Sequence, residues 1–131
     1  MTFRKLALFG ALAAMSIGVG GGALTAAGPS DAAAKGQASF QAKCSMCHAS
    51  AAGQPSVMGP NLSGVVGRDV ASAHGFTYSQ ALVKKDGTWT PAELNEYLKA
   101  PAKLVPGTRM PVAVPDDAER AAILAYLSTL K

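Results

Sequence analysis

Both cysteines of this chain stand three residues apart and run directly into one of its two histidines, in Cys44-Ser45-Met46-Cys47-His48. Two thiols and an imidazole within five residues leave the local backbone little freedom. A chain built this way has to fold around whatever those side chains hold. The remaining residues point the same way. Hydrophobic residues make up 49% of the sequence but aromatics only 6%, and Ala and Gly inflate the first figure. The apolar material available for a core is therefore modest for one domain of 131 residues, with something extra needed to fill the interior. From Ala49 to about Thr77 the chain is rich in Gly, Pro, Ser and Asn, without a sustained helical or strand period. A connection this long is uncommon unless it serves a function, and here it has to wrap something.

The first residues have a separate purpose. Arg4 and Lys5 precede a stretch without charge from Leu6 to Ser30. A basic start, an apolar run and small residues at Thr25-Ala26-Ala27 read as a secretory signal over 1–27, cleaved after Ala27 or after Ala34, or as an uncleaved N-terminal membrane anchor through residues 6–27. The domain then occupies 28–131. Cleavage after Ala27 leaves ten Lys and Arg against eight Asp and Glu, a net charge of +2. The basic residues are scattered, without the dense run that nucleic acid would need, and an exported chain rarely meets nucleic acid. The charge suits a mild preference for acidic protein surfaces.

An all-α reading accounts for the rest. Asp31 is expected to cap a helix ending at the cysteine pair, with Phe40 facing inward. Thr77 is expected to open a short helix through Tyr78-Ser79-Gln80-Ala81-Leu82-Val83-Lys84-Lys85. Thr90-Pro91-Ala92-Glu93 is a capping box with proline at the first helical position, launching a helix whose Leu94, Tyr97 and Leu98 share a face and which stops at Pro101. After a loop punctuated by prolines, Asp116 or Asp117 caps a last helix with an apolar stripe at Ile123, Tyr126, Leu127 and Leu130.

Cys-x-x-Cys-His is the attachment signature of c-type haem. Two thiols at that spacing reach neighbouring vinyl groups on one edge of a porphyrin, and the next residue puts an imidazole nitrogen on the iron. The competing readings fit less of the chain. A thioredoxin-like pair requires a βαβ setting, zinc requires four ligands where only His74 remains to be recruited, and a plain disulfide leaves His48 and the long loop without a purpose. The sixth iron ligand is open between His74 and a methionine. Met46 lies between the cysteines and Met58 too close to His48, whereas Met110 lies far enough along to return over the opposite face. An ordinary packed methionine is the bland alternative.

These residues, together with Gly36 and Phe40, "GPNLSGVVGR", "GFTY", Trp89, "EYLKAPAKLVPGTRM" and Tyr126 in that order, make the chain similar to the class I c-type cytochromes, particularly the mitochondrial protein and its periplasmic bacterial relatives. The resemblance runs from Gly36 to Leu130. It implies a cytochrome c fold, with crossing terminal helices and with short helices and long loops around one haem. It implies thioethers at Cys44 and Cys47 and axial ligands His48 and Met110. It implies that the Pro60 carbonyl accepts from the ring of His48, that Arg68, Tyr78, Trp89 and Thr108 surround the haem propionates, and that the Tyr97 hydroxyl approaches the methionine sulfur. Gly36 and Phe40 would pack against Tyr126. Two positions depart from the family pattern: Val112 stands in place of an aromatic and Leu82 in place of a buried amide. Of the basic docking ring Lys43, Lys85, Lys103 and Arg109 remain, while Asp116 and Asp117 reverse the usual charge.

The implied function is that of a periplasmic, monomeric electron carrier rather than an enzyme, exchanging electrons with redox proteins such as a quinol-oxidising complex and a terminal oxidase or periplasmic dehydrogenase. The competing reading is a haem enzyme or gas sensor with a labile sixth ligand.

Overall fold

The structure, a computed structural model, describes residues 30–131. The expected signal or anchor at 1–27 lies outside the described residues. Five helices follow in order: α1 Asp31–Lys43, α2 Gln80–Val83, α3 Pro91–Lys99, α4 Pro101–Leu104 and α5 Asp117–Leu127. Among the described residues there is no strand, only an isolated antiparallel bridge between Asp69 and Thr88. None of the described helices is long and apolar enough to cross a membrane.

Four of the five helices, all but α4, begin where a short polar side chain satisfies an orphan amide. For α1 that residue is Ser30, whose hydroxyl accepts from the Ala33 amide, and not Asp31, which instead supplies the negative charge favoured in a first turn. For α2 it is Ser79, so the helix starts later than Thr77 and lasts a single turn. Thr90 caps α3 through the Glu93 amide at 3.1 Å. The return half of that capping box is not made, because the Glu93 carboxylate pairs with Lys85 instead. Pro101 forbids a helical Ala100, which sits at φ −156° and ψ 78°, and so divides α3 from α4. Asp116 caps α5.

The terminal helices α1 and α5 share the most extensive helix contact. On α1 the buried positions are Ala33, Gly36 and Phe40; on α5 they are Arg120, Ile123 and Leu127. Gly36 lies against the backbone of Ala122, and Phe40 packs on Tyr126 with ring centroids 5.3 Å apart. The glycine therefore meets Ala122 and the phenylalanine meets the tyrosine, dividing the contact the sequence assigned to both. Burying a ring like that of Phe40, 2% exposed, stabilises by about 1.5–3 kcal/mol. Lys43 and Glu119 close the open end of the crossing at 2.7 Å, a surface pair worth at most about 1 kcal/mol. Leu130 falls beyond α5 yet still packs on the core.

The long segment before α2 is held mainly by side chains that stand in for a sheet. The Asn61 amide donates to the carbonyls of Ala51 and Gln54, both at 2.8 Å. Arg68 donates to the carbonyls of Ser63 and Asn61, and the backbones of Arg68 and Trp89 meet through a 2.8 Å bond. These bonds pair backbone groups that a buried loop would otherwise strand.

Candidate functional site

The helices and the long loop enclose a cavity of about 650 Å³, within the range of small-molecule sites. Cys44, Cys47, His48, Pro60, Arg68, Tyr78, Trp89, Tyr97 and Met110 all stand on its wall. Of the ten site residues expected from the sequence only Thr108 does not; it is joined to the wall through Tyr97.

Cys44 is the C-cap of α1, where its amide still donates to the Phe40 carbonyl, and the turn that follows carries Cys47 and His48 round to the same cavity. Both thiols are free. Burial pushes the Cys44 thiol up, Glu119 adds to this and Lys43 offsets part of it, so it is held as neutral SH. Nδ1 of His48 lies 2.8 Å from the Pro60 carbonyl. A carbonyl can only accept, which assigns the proton to Nδ1 and leaves the lone pair on Nε2. Burial pushes the imidazole pKa down and the Pro60 bond opposes this in part; the neutral ring is the form that ligates a metal.

Gly59, which the sequence reading passed over, makes this arrangement possible. A Cβ there would stand 2.5 Å from Cε1 of His48, so only a residue without one lets the ring lie against the loop. The signal was present in the glycine directly before Pro60.

On the other side, Trp89 and Tyr97 pack at 5.0 Å. The Tyr97 hydroxyl bonds to the Thr108 hydroxyl at 2.6 Å, and Thr108 in turn accepts from the Met110 amide at 3.3 Å. One bond between two hydroxyls uses one O–H, so the pair keeps one proton to donate, from Tyr97 toward a sulfur or from Thr108 toward a propionate, the two places the resemblance implies. The Tyr78 hydroxyl accepts from the Ala73 amide. Met110 is partly buried, Met46 and Met58 are 82% and 70% exposed, and His74 is exposed. Leu82 and Val112 both line the cavity.

Burial pushes the phenols of Tyr97 and Tyr78 above their ordinary 10.0. The Thr108 bond offsets part of this at Tyr97, and the Ala73 amide and Arg68 do so at Tyr78. Unfolded phenols ionise near pH ~10, so the folded chain keeps protons that the unfolded chain releases above that pH. The stability they confer is complete below the unfolded value and is lost as pH rises through the folded one. Tyr97→Phe is expected to flatten the alkaline limb of a denaturant-stability profile. An unchanged slope would mean that this phenol ionises as readily in the fold as outside it.

The residues fit haem on chemical grounds. Two free thiols and an imidazole with an available lone pair meet at one mostly apolar wall, and on that wall Nε of Arg68 is buried without a partner. A buried guanidinium donor left unpaired among apolar surfaces calls for an acceptor such as a carboxylate. Other readings of the cysteine pair find no support: among the described residues no three His, Cys, Asp or Glu side chains cluster to hold a metal, and no βαβ unit is present.

Comparison with known proteins agrees. A sequence profile of the family Cytochrome c matches residues 33–131. Cytochrome c2 of Rhodopila globiformis is 44% identical over 98 residues, 74% of this chain and 92% of that protein. The cytochrome c-type cyt cy of Rhodobacter capsulatus is 44% identical over 96 residues, 72% of this chain; the chain spans about half, 47%, of that relative's length. Cytochrome cH from Methylobacterium extorquens superposes with a TM-score of 0.69 at 38% identity, covering 74% of this chain and 97% of that one. The attachment motif, the enclosing all-α architecture and a profile match over most of the length lead to one assignment: the chain belongs to the cytochrome c family.

Proposed function

We propose that the chain is a one-electron carrier that holds a single haem c through thioethers at Cys44 and Cys47, with His48 and Met110 as axial ligands. The observation that carries this reading is the meeting of the cysteine pair, a histidine braced by Pro60 and a partly buried methionine on the wall of one apolar cavity. Haem bound there supplies a ferric/ferrous couple. The protein's part is to hold the imidazole in one tautomer, keep the methionine loop in place and exclude water. Arg68 offers its free Nε–H to a haem carboxylate.

Apart from His48, no histidine and no acidic side chain lines the cavity among the described residues. Peroxide chemistry relies on an acid–base group near the open iron face, and His74 is too exposed to supply it. The carrier reading therefore stands ahead of an enzyme or gas sensor. By family analogy the partners are a quinol-oxidising complex and a terminal oxidase or periplasmic dehydrogenase, met by a monomer in the periplasm. Of the four cations left from the docking ring, Lys43 and Lys85 pair with Glu119 and Glu93, and Arg109 donates to the Thr77 carbonyl. A carbonyl does not cancel the guanidinium charge, which leaves Arg109 and Lys103 as uncompensated cations and a weak steering field.

The test is the near-infrared absorption of the oxidised protein, where methionine sulfur on ferric haem gives a weak band. The band is expected in the wild type and expected to vanish in Met110→Ala. Its absence from the wild type would move the enzyme or sensor reading to the front.

A further inference from the structure

Arg120 is a buried charge that none of the roles above employs. It is 2% exposed and lies at the fourth position of α5. A guanidinium there is doubly penalised: it is desolvated, and it faces the positive end of the helix dipole. Helix stability does not account for it, since Asp116 already caps α5.

Its partners show what it holds. Nε donates to Oδ1 of Asn95 on α3 at 3.0 Å, one terminal nitrogen donates to the carbonyls of Val114 and Pro115, both at 2.8 Å, and the other pairs with Asp117. Only Asp117 belongs to α5. Val114 and Pro115 trail Met110 by four and five residues, and Val114, fully buried, also donates its amide to the Leu98 carbonyl at 2.8 Å. Upstream of Met110, Thr108 is fastened to Tyr97. The segment carrying Met110 thus spans two fastenings on consecutive residues of α3. Between them Pro111, Val112 and Ala113 make no hydrogen bond to other described residues. The upstream fastening is a pair of hydroxyls. The downstream one, the Val114 amide on the Leu98 carbonyl, is reinforced by the charged fork of Arg120, which ties the carbonyls of Val114 and Pro115 to Asn95 on α3, and charge-assisted bonds are the stronger kind.

We infer that Arg120 is a positioning residue for the second axial ligand: by clamping the segment after Met110 to α3 it sets how often that segment lifts from the cavity. The inference rests on the assignment of Met110 proposed above. An added ligand for the iron binds only the lifted state, so its apparent affinity follows the fraction of molecules that are open.

The experiment titrates the ferric holoprotein with imidazole by visible absorption, recording the near-infrared band and denaturant stability alongside. Arg120→Met removes the whole fork, Arg120→Lys keeps only the charge, and Asn95→Ala removes a single bond. Ala33→Gly in α1, a helix that does not touch α3, is the control, losing about 1 kcal/mol of helix propensity together with a buried methyl group. Imidazole is expected to bind about tenfold more tightly to Arg120→Met, with smaller gains for Arg120→Lys and Asn95→Ala and none for Ala33→Gly. If Arg120→Met does not fold, the other two variants decide. Affinity that is unmoved in them, or that rises equally in Ala33→Gly, overturns the clamp and leaves Arg120 a structural residue. A wild type lacking the near-infrared band overturns the Met110 assignment, and the clamp with it; a band present with unmoved affinity overturns the clamp alone.

Discussion

A Cys44→Ala/Cys47→Ala variant isolated free of haem is expected to lose its far-ultraviolet helical signal and to show no cooperative thermal transition. The cavity wall includes much of the core itself, among it Trp89, Leu94, Leu98 and Ile123. A cavity costs about 24 cal/mol per Å³ when its walls do not relax. For about 650 Å³ that is on the order of 16 kcal/mol in a sealed void; this cavity opens in part to water, so the figure is an upper bound, set against a total stability of about 5–15 kcal/mol for an ordinary domain. Even half of the figure removes most of the margin, and a mostly apolar wall gives entering water few partners. Circular dichroism of the haem-free variant, before and after adding free haem, checks this: helix should return with the cofactor. A sharp melting transition without haem would show that the protein core is self-sufficient and that the sparse aromatic content was misread as a deficit.

Gly36→Ala is expected to destabilise the holoprotein by about 2 kcal/mol, although helix propensity alone predicts a gain of about 1 kcal/mol. A Cβ at this position would stand 1.9 Å from the carbonyl oxygen of Ala122 and 2.4 Å from its carbon. Both atoms are backbone, so no rotamer relieves the overlap and α5 has to move away from α1. That shift would disturb Phe40 on Tyr126 and the Lys43–Glu119 pair together. A midpoint lowered by roughly 10 °C is the corresponding thermal effect for a domain of this size, and Gly36→Val should be worse. Because propensity and packing predict opposite signs, a rise in melting temperature for Gly36→Ala would refute the close crossing outright.

The covalent motif, the four capped helix starts and the long loop are legible along the chain because each depends on neighbours a few residues away. Cys-x-x-Cys-His declares its chemistry within five residues, and Thr90 with Pro91 declares a helix start within two. Local competition limits even this reading. Ser30 and Ser79 take the caps expected of Asp31 and Thr77, and Lys85, eight residues upstream, takes the Glu93 carboxylate from its own capping box.

What the chain does with its scattered polar residues is decided elsewhere. Arg120 reads as one more surface cation, yet it is buried because three of its acceptors are carried to it by α3 and by the segment after Met110. Tyr97 and Thr108 bond to each other, across eleven residues, because α4 and its flanking turns fold Thr108 back over α3. The need for glycine at 59 exists only once His48 lies against it. The sequence by itself determined the attachment motif and the class of fold, since bond-forming groups and caps act over short range. Only the tertiary structure decided which donors are spent, which are left for a ligand, and what fastens the methionine loop, since burial and partnership are properties of groups brought together from distant parts of the chain.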